Sequence, residues 1–223
     1  ISLISYNIHH GYNFCKITIE QIIKELNIIN CDIICLQEIH TIDQYNTIKT
    51  KLNNDYLYSH YFNGLGIYSK YNIEIKKEHI YNNVSLQFLN YNFNVYPKTV
   101  FLYSKITIKN SHFYLLNTHL SADITGYKQY NELLELNTFL EDKMNKPVII
   151  TGDFNIKDNI DNIDNIDKIN NFSTVKLPYT YPSYFPCLQL DRIFYKKIKI
   201  LNKNIIKTYN SDHFHILCEF KLT

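Results

Sequence analysis

The chain predicts an α/β fold in which two packed, mostly antiparallel β-sheets carry helices on their outer faces, as one domain over residues 1–223. Three observations predict it. Apolar runs of strand length outnumber helical patterns, the helical patterns fall between groups of strands, and no linker-like stretch divides the chain.

Taken in order, Ile1–Ile8 (ISLISYNI) alternates as a strand does. Thr18–Ile29 spaces its apolar residues as a helix, with Thr18 placed to cap it. Asp32–Ile39 (DIICLQEI) is a nearly continuous apolar run, hence a buried strand, and a short helix to Leu52 follows. Strands are expected over Tyr56–Phe62, Gly66–Ser69, Ile73–Ile80, Val100–Ile108 and His112–His119. Tyr127–Lys143 reads as a helix ended by Lys146-Pro147, and Pro147–Thr151 as the next strand. The Asn-Ile-Asp repeats of Asn159–Asp167 fit neither period and read as a surface insertion without chemistry of its own. Strands at Leu190–Tyr195, Ile198–Lys207 and His213–Leu222 close the chain.

Hydrophobic residues make up 45% of the chain, enough for a substantial core. Its 20 Tyr and 13 Phe, with no Trp, accompany abundant Ile, Asn and Lys. Ile, Asn, Lys and Tyr share AT-rich codons, so genome composition accounts for the bias. A net charge of +2 is too weak a field to mark a nucleic-acid binder. The Lys-rich run Tyr195–Lys207 reads as a solvated strand face, with a basic groove wall as the alternative. Five cysteines without a CxxC pair indicate neither a disulfide framework nor a zinc site. Cys35 and Cys218 read as small buried hydrophobes. No apolar run is long enough to span a bilayer. The chain starts at Ile1, so its compartment stays unassigned.

Polar residues stand at the ends of strands where packing alone would not put them. Asn7 ends the first strand, Glu38 ends DIICLQE, and His119 ends YLLNTH. Asp153 and Asn155 follow VIITG, Asp191 opens LDRIF, and Ser211-Asp212-His213 opens the last strand. This inventory holds carboxylates for a hard divalent cation, two histidines, and two amides able to donate to phosphate oxygens. No soft Cys/His cluster argues for zinc.

The motifs SYNIHHG, DIICLQEI, GLGIYSK, LNTHLS, ITGDFN, TYPSYFPCLQLDRIFY and SDHFHI run in that order from Ser5 to Ile216. In them the chain resembles the endonuclease/exonuclease/phosphatase superfamily, metal-dependent hydrolases of the pancreatic-deoxyribonuclease-like fold, and resembles its abasic-site endonucleases less. The resemblance implies a four-layered α/β sandwich with the site at one end of the two sheets. It further implies Glu38 as principal metal ligand with Asn7 beside it, and Asp212 as a second metal-side acid. Asp153 would position or deprotonate the attacking water, and Asn155 would hold a phosphate oxygen. His213 would contact the phosphate, Asp191 would orient it, and His119 would face the phosphate or the leaving group. Mg²⁺ is the implied cofactor, with Mn²⁺ as a substitute.

Two departures stand out. Where many relatives have an arginine, this chain reads YPKTVF, and Lys98 is the candidate cation there. Where relatives often have proline after the SDH motif, His215 stands instead, read as an edge-exposed histidine on the His213 face, with a pocket-lining position as the alternative. His9 and His10 sit beside Asn7 and are candidate substrate contacts. The function expected is Mg²⁺-dependent hydrolysis of phosphoric esters, a phosphodiesterase first. A DNA or RNA nuclease, abasic-site cleavage included, is the alternative, and a monomer is expected. A non-catalytic binding module ranks last, because Glu38, Asp153, Asn155, Asp191, Asp212 and His213 are all present.

Overall fold

The computed structural model describes residues 1–14, 16–82, 99–123, 125–143, 145–157, 169 and 171–223. Lys98 and the Asn-Ile-Asp run lie outside the described residues. The strands are β1 (Ser2–Asn7), β2 (Tyr12–Asn13), β3 (Lys16–Ile17), β4 (Ile33–Gln37), β5 (Tyr58–Phe62), β6 (Leu65–Ser69) and β7 (Asn72–Ile80). They continue as β8 (Val100–Ile108), β9 (Ser111–His119), β10 (Val148–Asp153), β11 (Ser173–Thr174), β12 (Asp191–Lys196), β13 (Ile198–Ile206) and β14 (His215–Leu222). The helices are α1 (Ile19–Ile29), α2 (Ile42–Lys51) and α3 (Tyr127–Leu140).

One sheet runs β13-β14-β1-β4-β6-β5 and the other β11-β12-β10-β9-β8-β7. Leu3, Cys35, Leu115, Ile149 and Ile193 form the core between the sheets. Their neighbours along the same strands face outward and are buried again, under helices. Ile4, Tyr6 and Ile34 pack with Ile22 and Leu26 of α1 and Ile48 of α2. Leu116, Ile150 and Phe194 pack with Leu133, Leu136 and Leu140 of α3. Burial on both faces explains why β4 and β10 read as unbroken apolar runs, and it makes the four layers α/β/β/α.

Among the described residues, each sheet contains a single parallel pair, β1 with β4 and β9 with β10, and a helix makes each crossover. Parallel strands end on the same side. Asn7 therefore pairs in register with Gln37, next to Glu38, and Asp153 pairs with His119. The two crossovers thus bring four polar strand ends to one end of the sandwich.

Three local expectations change. Thr18 makes no capping bond; its hydroxyl donates to the Asn210 carbonyl at 2.5 Å and so ties α1 to the turn before β14. The third helix tightens into a 3-10 turn at Glu141–Lys143 instead of continuing as α-helix. His215 is fully buried, not edge-exposed. Strand β14 lies inside its sheet, between β13 and β1, and Ile216 belongs to the inter-sheet core, so His215 faces the α1 layer. There its ring centroid is 3.6 Å from that of Tyr6. Because β14 starts after His213, alternation counted from His213 gives no guide to His215. Among the described residues, no helix is long and apolar enough to cross a membrane.

Candidate active site

The centre of the site is an amide between two acids. Asn7 Nδ2 donates to Glu38 Oε1 at 3.0 Å and to Asp153 Oδ2 at 2.9 Å, while its Oδ1 accepts from the His9 amide at 3.0 Å. Asn7 and Asp153 are fully buried at the floor, and the Glu38 side chain is about one-fifth exposed at the opening. His119 Nε2 lies 3.7 Å from both Glu38 Oε1 and Asp153 Oδ2. Asn155 Nδ2 donates to the Leu120 carbonyl at 3.0 Å and lies 3.2 Å from His119 Nε2, and the Asn155 amide donates to Asp153 Oδ1 at 2.9 Å.

A second group meets the first at Asp153. His213 Nδ1 is 2.8 Å from Asp191 Oδ2, and its Nε2 is 3.6 Å from Asp153 Oδ2. Asp191 also accepts from the Thr180 hydroxyl. Asp191, Asp153 and His213 are all buried, so their charges act in a medium far less polar than water.

Electrostatics separate the roles open to these groups. Burial alone would lower the His213 pKa, but Asp191 and Asp153 outweigh it and raise it to about 10, which makes the ring an imidazolium at neutral pH. Burial pushes the Asp153 carboxyl up; the nearby His213 charge opposes that, and Asp191 adds to it. Burial also pushes Glu38 up, but His119, the Asn7 amide and His10 hold its carboxyl below the ordinary value. A buried base with a raised pKa thus stands beside an ionised acid and a held cation.

Backbone strain gathers at the same place. His9, His10, Glu38 and Asn155 all have φ between 45° and 58°, a left-handed conformation that non-glycine residues seldom adopt. At Glu38 it turns the side chain from the end of β4 toward Asn7. At Asn155 it folds the amide back onto Asp153.

The structure brings together Asn7, Glu38, His119, Asp153, Asn155, Asp191 and His213. His10 Nε2 reaches Glu38 Oε2 at 3.3 Å. His9 Nδ1 lies 3.6 Å from Asp212 Oδ1, so both rings of the pair line the opening. Asp212 stands on the His9 side and is not among the acids that converge with Glu38. Several contributors lie within the motifs although sequence reasoning gave them no role. Ser211 Oγ donates to the Asn7 carbonyl at 2.7 Å, the Ser183 amide donates to the Asp212 carbonyl at 2.7 Å, and Thr180 steadies Asp191. The Tyr181 ring packs at 4.8 Å from that of His213. At the rim, the exposed rings of Phe14 and Tyr184 touch at 5.3 Å.

Among the described residues, two triads have ligand atoms close enough to hold one ion: Glu38, His119 and Asp153, and Asp153, Asp191 and His213. The second is committed to an imidazolium and its counter-ions. The first offers hard carboxylate oxygens with one face open to solvent, which fits a divalent cation that takes few protein ligands and keeps waters and substrate oxygens.

A sequence model of the Endonuclease/Exonuclease/phosphatase family matches residues 4–213. No curated protein matches the chain at a significant level. Humanized TDP2 of D. rerio is 19% identical, with a TM-score of 0.80 over 99% of this chain and 98% of that one. The human Nocturnin catalytic domain with bound sulfate is 18% identical, with a TM-score of 0.74 over 100% of this chain and 94% of the other. The mannosyl-6-phosphatase of Bacteroides thetaiotaomicron VPI-5482 is 15% identical, with a TM-score of 0.76 over all of both chains. At these identities the likeness establishes a shared fold.

Proposed function

The chain belongs to the endonuclease/exonuclease/phosphatase family of phosphoester-hydrolysing enzymes, and from that premise we propose that it is a Mg²⁺-dependent phosphodiesterase. The observation that carries the reading is the meeting at Asp153 of an acidic pair bridged by Asn7 and a histidine held by Asp191.

In this reading Glu38 would hold the cation, and Asn7 keeps its carboxylate beside that of Asp153, acting through the two acids instead of as a ligand itself. When bound, the cation neutralises charge that builds on the phosphoryl and leaving oxygens. Asp153 takes the proton of the attacking water, a task its raised pKa favours. His213, kept cationic by Asp191, donates Nε2–H to a phosphoryl oxygen, and Asn155 donates a second bond. His119 faces the leaving oxygen. His9 and His10 meet the substrate at the opening, while Asp212 orients His9.

A panel of aryl phosphate esters with the metal varied tests this reading. Faster turnover of the diester than of the monoester, with Mg²⁺ or Mn²⁺ required, is the expected result. A preference for the monoester would make the enzyme a phosphatase instead.

The Phe14–Tyr184 pair favours a narrower reading, a nuclease for single-stranded DNA or RNA. Flat exposed rings beside a phosphate site stack on bases, and TDP2 of D. rerio, which shares this fold, has a structure complexed with single-strand DNA product. Salt-sensitive retention on immobilised single-stranded DNA, lost in Phe14→Ala/Tyr184→Ala, would support it; indifference to DNA would remove it.

A further inference from the structure

A second cavity opens where the two sheets end, away from the acids. It has a volume of about 340 Å³ and is lined by Lys176, Lys203 and Lys207 together with Leu177, Tyr179 and Ile205. That size falls in the range of small-molecule sites, roughly 300–1,000 Å³.

The topology explains how lysines come to face one another here. Strand β13 is the edge of one sheet and β11 the edge of the other. Lys203 pairs in register with Cys218 and Ile205 with Ile216, both of which point into the inter-sheet core. Lys203 and Ile205 therefore also point inward, past the edge of the opposite sheet. The chain leaving β11 supplies the other wall, with Lys176, Leu177 and Tyr179.

An inward-pointing lysine on an edge strand is a known guard against edge-to-edge pairing, and that accounts for Lys203. It does not account for Lys176 approaching from the opposite wall. Like charges around one cavity repel, and among the described residues no carboxylate lines it and none of the three ammonium groups has an ion-pair partner. An anion would remove that repulsion, and the apolar wall would cover a flat, uncharged body attached to it.

We propose that this cavity binds an organic phosphate, with the phosphates on Lys176, Lys203 and Lys207 and the body of the ligand against Tyr179, Leu177 and Ile205. The source is a free nucleotide or a distal phosphate of the substrate. Tyr179 is followed by Thr180, whose hydroxyl bonds Asp191 and whose carbonyl accepts from the Phe214 amide, so the cavity lies one residue along the chain from the group that holds His213.

The experiment is calorimetric titration of the full chain in EDTA with ADP, inorganic pyrophosphate and adenosine, so that binding is read without turnover and independently of the catalytic reading. ADP is expected to bind, pyrophosphate more weakly, and adenosine not at all. The variant K176Q/K203Q/K207Q should lose about tenfold or more in ADP affinity, and K176R/K203R/K207R should retain it. His213→Asn should leave ADP binding unchanged. Comparing KM for an aryl diester with and without an added terminal phosphate in the Gln variant separates the sources: a rise confined to the phosphorylated ester marks a substrate subsite, and equal KM values mark a free-ligand site. Absence of ADP binding, undiminished binding by the Gln variant, or loss of binding in His213→Asn would overturn the proposal and leave the lysines as guards of the sheet edge.

Discussion

Asn7 Nδ2 donates to Asp153 Oδ2 at 2.9 Å, linking the end of β1 in one sheet to the end of β10 in the other across 146 residues of sequence. The same amide group donates to Glu38. Two carboxylates that would repel each other are thereby held at one distance before any cation arrives.

Asn7→Ala should therefore act on catalysis more than on folding. Loss of the bridge leaves Glu38 and Asp153 unanchored, and activity is expected to fall about 10- to 100-fold, with a higher Mg²⁺ concentration needed for half-maximal rate. A Mg²⁺ titration of initial rates checks it; an unchanged half-saturating concentration would mean that the bridge does not position the acids.

Asp191→Asn keeps the shape of the partner and removes its charge. The His213 pKa should fall from about 10, because Asp191 is the largest of the influences raising it against burial. Histidine titration by NMR reads the shift directly. Turnover should drop by about a hundredfold or more as the imidazolium is lost at neutral pH.

Gly152 separates Thr151 from Asp153 with φ of 143°, and a Cβ there would lie 1.9 Å from the Thr118 carbonyl oxygen in the adjacent strand. The glycine lets β9 and β10 approach closely enough to carry His119 and Asp153 side by side. Gly152→Ala should cost about 4 kcal/mol or more, read by urea unfolding. A loss below about 1 kcal/mol would show that the strands can part without harm.

The contributions of two other buried histidines to stability should fall on mild acidification, opposite in sign to that of His213, whose raised pKa favours the folded state as pH drops toward 6.5. His215, buried beside Tyr6 and 3.5 Å from Glu25, and His60, buried beside Glu78, are both held below the ordinary value of 6.5 by burial, with the acids partly opposing it. The unfolded chain then binds protons more readily than the folded one below that value. The contribution of each ring is present above 6.5 and lost as pH drops through its folded pKa. Urea unfolding of wild type and His215→Gln at about pH 7.5 and about pH 5.5 should show the smaller acid loss in the variant. Equal losses would remove His215 as a cause.

Much of the architecture was legible because burial on both faces writes itself as unbroken apolar runs. β4 and β10 announce themselves that way, and the polar residue that follows each is where the site lies. What was not legible depended on contacts distant in sequence or on a single φ angle. Ser211 meets Asn7 and Thr18 meets Asn210 through one hydroxyl each, and a lone hydroxyl has no period to read. His215 was misread because a strand phase was carried across the point where the strand begins. The left-handed turn at Glu38, which directs the side chain at Asn7, likewise leaves no trace in residue type.

Metal-dependent catalysis at Glu38 is read by turnover of an aryl phosphodiester as Mg²⁺ is stripped and returned, in wild type and in Glu38→Gln. EDTA should abolish turnover, Mg²⁺ should restore it in wild type, and Glu38→Gln should stay nearly inactive or need far more metal. Turnover that persists in EDTA, or a Glu38→Gln enzyme with wild-type rate and metal dependence, would contradict it.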